Sequence, residues 1–328
     1  MEAASPTIER VQDLWFDDGN LIIQAGNRQY RVFRGILAAQ SSVFKDMLSF
    51  PQPPESEECP IVHLSDSSTE VTAFFRAIFD PKSSMPAFPN ETDFDTICAC
   101  LRLGHKYGVD YLRRRALVHL SSRFPTTLSE CDALETNTIP FFTWKRPRNG
   151  SYRIFLMSLF REVDAVWFLP YTFYLLGSNF GRLGSAIFHG AVYNDATVGL
   201  SREDQDAFLH GYFIQRDSLR NEILRFLWST DKIQGCTNTA QCLQIRLNAF
   251  KLTCTPDWAA IANAPLHAFK EQWIKDSGMC PSCLTYCLKA HHGACQAFWD
   301  KLPKIYGLPP WEQLEKMKAD AIGSELSV

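Results

Sequence analysis

The chain has 328 residues, 46% of them hydrophobic and 21% charged, with a formal net charge of -3. That balance describes a globular chain long enough for two domains, and without a basic excess to neutralise phosphates it makes no nucleic-acid partner expected. Residues Met1 to Asp13 carry Glu2, Glu9 and Asp13 instead of the basic start and apolar run of a secretory signal, which points to a cytoplasmic or nuclear protein.

The first segment is strand-like. Asn20 to Ala25 and Tyr30 to Phe33 are short apolar or β-branched runs on either side of Gly26-Asn27, a pairing of turn residues that predicts a hairpin. Beyond it Ile36, Leu37, Val43, Phe44, Met47 and Leu48 fall at helical spacings around Ser41-Ser42, which predicts two short helices with a cap between them. Pro51, Pro53 and Pro54, followed by Glu55, Glu57 and Glu58, form a polar loop that cannot continue a helix. A strand resumes at Ile61 to Leu64.

Ser67 and Glu70 have capping-box spacing, and Val71, Phe74, Phe75, Ile78 and Phe79 then repeat with helical period. A proline-rich loop from Pro81 to Pro89 follows. Phe94, Ile97, Cys98 and Leu101 open another helix that stops near Gly108, and Leu112, Ala116, Leu117 and Leu120 mark one more. The order of hairpin, helices, strand and helices describes an α+β unit of ordinary domain size.

Thr126 to Gly150 is weakly periodic, contains Pro140 and Pro147, and reads as a linker. Past Tyr152 the sequence reads as all-α: helices are expected at Ile154 to Val163, Ala165 to Leu176, Arg182 to Tyr193, Arg202 to Trp228, Ala240 to Leu252, Trp258 to Lys275 and Leu284 to Trp299. The longest apolar stretch, Val166 to Leu176, is broken by Pro170. It is shorter than the roughly 20 residues of a spanning helix, so a buried helix pair is expected and no membrane partner. The domain plan is therefore a tail (1-13), an α+β domain (14-124), a linker (125-150) and a helical C-terminal domain (151-328).

Three stretches of the first unit, Asp17-Asp18-Gly19-Asn20-Leu21-Ile22-Ile23, Tyr30-Arg31-Val32-Phe33-Arg34-Gly35-Ile36-Leu37-Ala38-Ala39-Gln40-Ser41-Ser42-Val43-Phe44, and Ile61-Val62-His63-Leu64-Ser65-Asp66, stand out. Together they resemble the BTB/POZ family. The likeness continues through Leu103-Gly104-His105-Lys106-Tyr107-Gly108-Val109 to Leu112. Many members carry histidine where this chain has Phe33. The wider arrangement, with Trp299-Asp300-Lys301-Leu302-Pro303 and Tyr306-Gly307-Leu308-Pro309 late in the chain, is similar to BTB proteins of mushroom-forming fungi, a likeness that implies no chemistry.

The resemblance implies a BTB/POZ fold, a short sheet under a helical shell, and a non-enzymatic scaffold acting through protein partners. BTB domains pair as homodimers, with other BTB domains, or with the cullin scaffold of a ubiquitin ligase, which would make this chain a substrate adaptor. Ile36, Leu37, Phe44, Met47 and Leu48 are the candidate partner-binding residues; the competing reading is that most of them are core, because periodic apolar residues on helices usually face inward.

Signatures of chemistry are sparse. There is no glycine-rich phosphate loop ahead of Lys-Ser/Thr, no dinucleotide fingerprint after a strand, and no Gly-x-Ser-x-Gly elbow. Asp17 and Asp18 are adjacent and point apart on a strand or turn. His63 and His105 lack an evident nucleophile or carboxylate partner. Cys98 and Cys100 fit a buried helix face, and Arg113-Arg114-Arg115 fits either an acidic partner or a solvated face.

The eleven cysteines, in a chain read as intracellular, suggest thiols or metal ligands before disulfides. Cys280-Pro-Ser-Cys283 is a CxxC knuckle, and Cys236 with Cys242 supplies a second pair. Four thiolates from these positions could close a structural zinc site. Core packing of Cys242 with Ile245, Ala249 and Phe250 is the plain alternative. A second ligand set, Cys283, Cys287, His291 and Cys295, recurs every four residues along one helix face and is too long for one ion; Cys280, Cys283, Cys287 and His291 would share one zinc only if the helix start bent. A metal-dependent enzyme at this cysteine-rich end is the reading from another class. A redox CxxC lacks the expected βαβ surroundings.

Overall fold

The structure is a computed structural model of the full chain and describes residues 7–49, 59–136, 143–194, 196–255, 263–267 and 269–323. The proline- and glutamate-rich loop from Pro51 to Glu58 lies outside the described residues, as do Pro140 and the stretch from Trp258 to Ile261. The chain divides into two compact units: Met1–Arg123 with Ile139–Pro147 and Ala319–Val328, and Phe124–Thr138 with Arg148–Lys318. Among the described residues no helix is long and apolar enough to cross a membrane.

The first unit is built on a four-stranded mixed sheet in the order β1-β3-β2-β4. Strand β1 (Glu9–Trp15) starts inside the segment read as a tail and runs parallel to β3 (Arg28–Val32). Its alternation is weak, with only Val11 and Leu14 fully buried, which is why the sequence pattern does not announce it. Strand β2 (Leu21–Ala25) pairs antiparallel with β3 through the turn at Gly26, whose φ of 55° a side chain would strain. Strand β4 (Ile61–Leu64) is an outer strand, parallel to β2.

Helices α1 (Arg34–Gln40) and α2 (Ser42–Ser49) follow the hairpin. Ser41 separates them: its hydroxyl accepts the Phe44 N–H at 2.9 Å and donates to the Tyr107 carbonyl. Helices α3 (Ser68–Phe79), α4 (Pro81–Ser84), α5 (Phe94–Tyr107) and α6 (Asp110–Ser121) complete the unit. The capping box expected at Ser67 and Glu70 does not form. The Ser67 hydroxyl bonds Thr69 at 2.7 Å, and Glu70 instead pairs with Arg102.

Helix α5 is capped by Asp93, which accepts from the Thr96 N–H at 2.9 Å, and closes on left-handed Gly108. Between sheet and helices lies an aromatic core of Tyr30, Phe44, Phe74, Phe75 and Tyr107. Burying each large apolar side chain contributes roughly 1.5–3 kcal/mol. His119 is fully buried, its ring nitrogens bonded to the Thr143 hydroxyl at 2.9 Å and the Pro86 carbonyl at 2.8 Å.

The second unit is mostly helical. Helix α7 (Leu128–Glu135) sits within the stretch read as a linker and carries a complete capping box between Thr127 and Glu130. Helix α8 (Tyr152–Glu162) follows, and then the apolar stretch becomes a 3-10 turn (Val166–Phe168) and helix α9 (Leu169–Ser178), with Pro170 in its first turn. The helix expected to reach Tyr193 ends at His189 (α10, Phe180–His189), because Gly190 takes φ 80°.

A short hairpin follows, β5 (Ala191–Tyr193) with β6 (Ala196–Val198), where no strand is expected from the sequence. Each strand has three residues, too few for a period-2 pattern to be read. The long helix expected from Arg202 to Trp228 is three pieces: α11 (Arg202–Ser218), a π-helical turn (Leu219–Ile223) and α12 (Arg225–Trp228).

Helix α13 (Thr239–Thr253) is capped by Asn238. Of the helix expected over Trp258 to Lys275, the described residues hold only α14 (Glu271–Lys275). Helix α15 (Pro281–Ile305) begins earlier and ends later than its apolar pattern suggests, and α16 (Trp311–Ile322) follows. In this core the Tyr306 ring stacks on Phe173 with centroids 4.6 Å apart, and its hydroxyl donates to Gln215 at 2.6 Å.

Candidate functional site

Among the described residues, three places bring together side chains with binding or chemical capacity. The first is the α1–α2 pair. Leu37, Phe44 and Leu48 are buried in the core, so three of the five residues proposed for partner binding do not reach the surface; Met47 is half-buried, and Ile36 is exposed. The inward positions follow from packing, since Phe44 stacks on Tyr107 and lies beside Phe75. The sequence reading passed over Val43, which like Ile36 is 39% exposed. Its position one residue before the inward Phe44 puts it on the outer side of α2. Ile61, on outer strand β4, and Ile8, just before β1, are further exposed aliphatic residues in this unit.

The arginine run of α6 is tied down in part. Arg114 Nε donates to the Ile322 carbonyl at 3.0 Å, and Arg115 donates to the Met85 carbonyl at 2.5 Å. His63 and His105 are exposed, on β4 and α5. Cys98 and Cys100 are buried, and burial pushes the Cys100 thiol up to about 12, where it stays protonated.

The second place is a sulfur cluster in the helical unit. The Sγ atoms of Cys236, Cys242, Cys280 and Cys283 all lie within 4.8 Å of one another. Cys236 ends a turn, its N–H donating to the Ile233 carbonyl. Cys242 sits in the first turn of α13, its N–H bonded to the carbonyl of the Asn238 cap. Cys280 is the residue that caps α15, with Pro281 fixing the first helical position and Cys283 two residues further in. The CxxC knuckle is therefore a helix start, and the wider-spaced pair comes from a turn and the start of another helix.

The sulfurs of Cys280 and Cys236 are 3.8 Å apart, and the Cys280 N–H donates to the Cys242 sulfur at 3.4 Å. Backbone N–H groups of Cys283 and Thr237 pull the Cys280 thiol down to about 6, so it is mostly thiolate at neutral pH. Burial pushes Cys242 and Cys283 the other way. Of the alternative set along α15, only Cys283 joins this cluster. Cys287, His291 and Cys295 are buried further along the helix, and burial holds the Cys287 thiol near 11.

The third place is an open cleft of about 1200 Å³ whose lining includes Asp132, Glu135, His267, Glu271, His291 and His292. Glu271, His291 and His292 offer three ligand atoms within 4.8 Å of one another, with Glu271 paired to His292. Two thiols touch the imidazoles here: Cys131 lies 3.7 Å from His267 and Cys295 3.6 Å from His291. Burial pushes both thiols up, Cys295 to about 12, and pushes both imidazoles down. A neutral thiol beside a neutral imidazole is a packed pair, not an activated nucleophile.

Residues 17–123 match the family model described as BTB/POZ domain. The N-terminal unit, a short sheet under helices, is thus a BTB/POZ-type domain, a class of protein-interaction modules, and it is joined to a mostly helical C-terminal region. Comparison with curated proteins found no match, and comparison with solved structures found none.

Proposed function

We propose that the chain is a protein-association scaffold whose BTB domain binds a second BTB domain, with another copy of this chain as the occupant. The observation that carries this reading is the pair of aliphatic side chains, Ile36 and Val43, held at the surface by helices whose inner faces are fixed in the core. Isolated exposed aliphatics are ordinary. Two on adjacent helices, in a module of a family that pairs through protein contacts, support an isologous patch that a second copy covers. Outer strands β1 and β4 leave backbone edges that the same association could extend.

The mass of the full chain by light scattering at tens of micromolar tests this. A value of twice 37.3 kDa is expected, and a monomer throughout would overturn homotypic pairing. The adaptor form of the reading has a cullin scaffold as partner. Enrichment of a cullin on the immobilised full chain, above that on an unrelated control, would move the reading to an adaptor.

A further inference from the structure

The sulfur cluster lies outside the interaction domain and plays no part in the association proposed above. We propose that Cys236, Cys242, Cys280 and Cys283 hold one structural zinc ion as four thiolates, and that Arg246 offsets its charge. Zinc bound by four thiolates at about 2.3 Å sets its sulfurs about 3.8 Å apart in a tetrahedron. The separation between Cys280 and Cys236 is 3.8 Å, and no pair in the set exceeds 4.8 Å. All four cysteines are free thiols.

An N–H group aimed at sulfur is the second indication. The Cys242 sulfur takes the backbone N–H of Cys280 at 3.4 Å. A donor on sulfur stabilises the thiolate form that a metal requires.

The third is Arg246, one helical turn beyond Cys242 and only 3% exposed. It lines the same small cavity as Cys236, Cys242 and Cys283. One guanidinium nitrogen donates to the Phe226 carbonyl at 2.7 Å, while its Nε has no hydrogen-bond partner. Among the described residues no carboxylate lies within ion-pair distance of it, as one does for Arg161 and Asp204. A buried guanidinium without an anion is costly, and a zinc ion with four thiolates carries two negative charges. With zinc bound, the cluster sets that charge beside Arg246, in the cavity that the Asp231 carboxylate also lines beyond ion-pair distance.

The four ligands fill every position of a tetrahedral ion, which leaves none open for substrate or water. The site joins the start of α13 to the start of α15 and holds to both the turn at Cys236 that precedes α13. Its role is to fold the helical unit, because binding energy at a closed site is folding energy.

The test is X-ray absorption at the zinc edge on the full chain, purified without chelator and reloaded with zinc under reducing conditions. The expected shell is four sulfurs at about 2.3 Å. Cobalt in place of zinc should give the intense visible bands of a tetrahedral tetrathiolate. Failure to retain either metal overturns the proposal. So does a shell dominated by nitrogen and oxygen, which would place the ion at Glu271, His291 and His292. The wild-type chain suffices, so misfolding of a cysteine variant cannot mask the result.

Discussion

The ring of Phe44 lies flat against that of Tyr107, with centroids 4.6 Å apart and planes 13° from parallel. That contact decides which face of α2 is core. The Tyr107 hydroxyl donates to Asp66, and burial pushes the phenol far above its ordinary value. Phe44→Ala would leave a cavity here and cost about 3–5 kcal/mol. Ile36→Asp, at a position 39% exposed in the single chain, would cost the dissociated chain less than about 1 kcal/mol, measured at concentrations too low for pairing. Denaturant unfolding of the two variants checks the contrast, and equal losses would mean the faces are assigned wrongly.

Gly211 on α11 is the second test of packing. A β-carbon there would collide with two ring carbons of Tyr306. That ring is 1% exposed, stacked on Phe173 and bonded to Gln215, so it has little room to move. Gly211→Ala should destabilise the helical unit by about 1–3 kcal/mol through overpacking, despite the higher helix propensity of alanine. A raised unfolding temperature would contradict this.

The buried imidazole of His119 gives a pH dependence. Burial, more than the neighbouring Arg115, holds its pKa below the ordinary 6.5, against a smaller upward pull from the Pro86 carbonyl. The unfolded chain then binds the extra proton first as pH falls, so the contribution is intact above 6.5 and is lost as pH drops from 6.5 towards the folded value. Unfolding midpoints should fall between pH 7.5 and 5, and the slope should be shallower in His119→Gln. An identical slope would remove His119 from the account.

Arg246→Met tests the charge argument at the cysteine cluster. If the guanidinium offsets the thiolate charge, its loss should weaken zinc retention about 10–100-fold in competition with a chelator. Circular dichroism should show the helices in place. Unchanged retention would mean that Arg246 serves packing alone.

The helices of the BTB unit were legible where a local signal marks them, the period of Val71, Phe74, Phe75 and Ile78 and the glycine stop at Gly108, whereas α4 (Pro81–Ser84) falls in the stretch read as a proline-rich loop. Strand β1 was not, since its burial comes from pairing with β3, a partner distant in sequence. The exposed side of α1 and α2, proposed to meet a partner, was half legible. Apolar spacing names the residues that share a helix, while the ring of Tyr107, some sixty positions away, decides which of them turn inward. The four cysteines could be named from the knuckle at Cys280 and Cys283, but the anion-seeking Arg246 has no sequence signature.

Pairing of two copies of the chain is proposed to run through Ile36 and Val43. Sedimentation velocity of the wild type and of the Ile36→Asp/Val43→Asp double variant, at matched concentrations, separates the outcomes. A dimer is expected for the wild type and a folded monomer for the variant. A variant that sediments as the wild type does would contradict it.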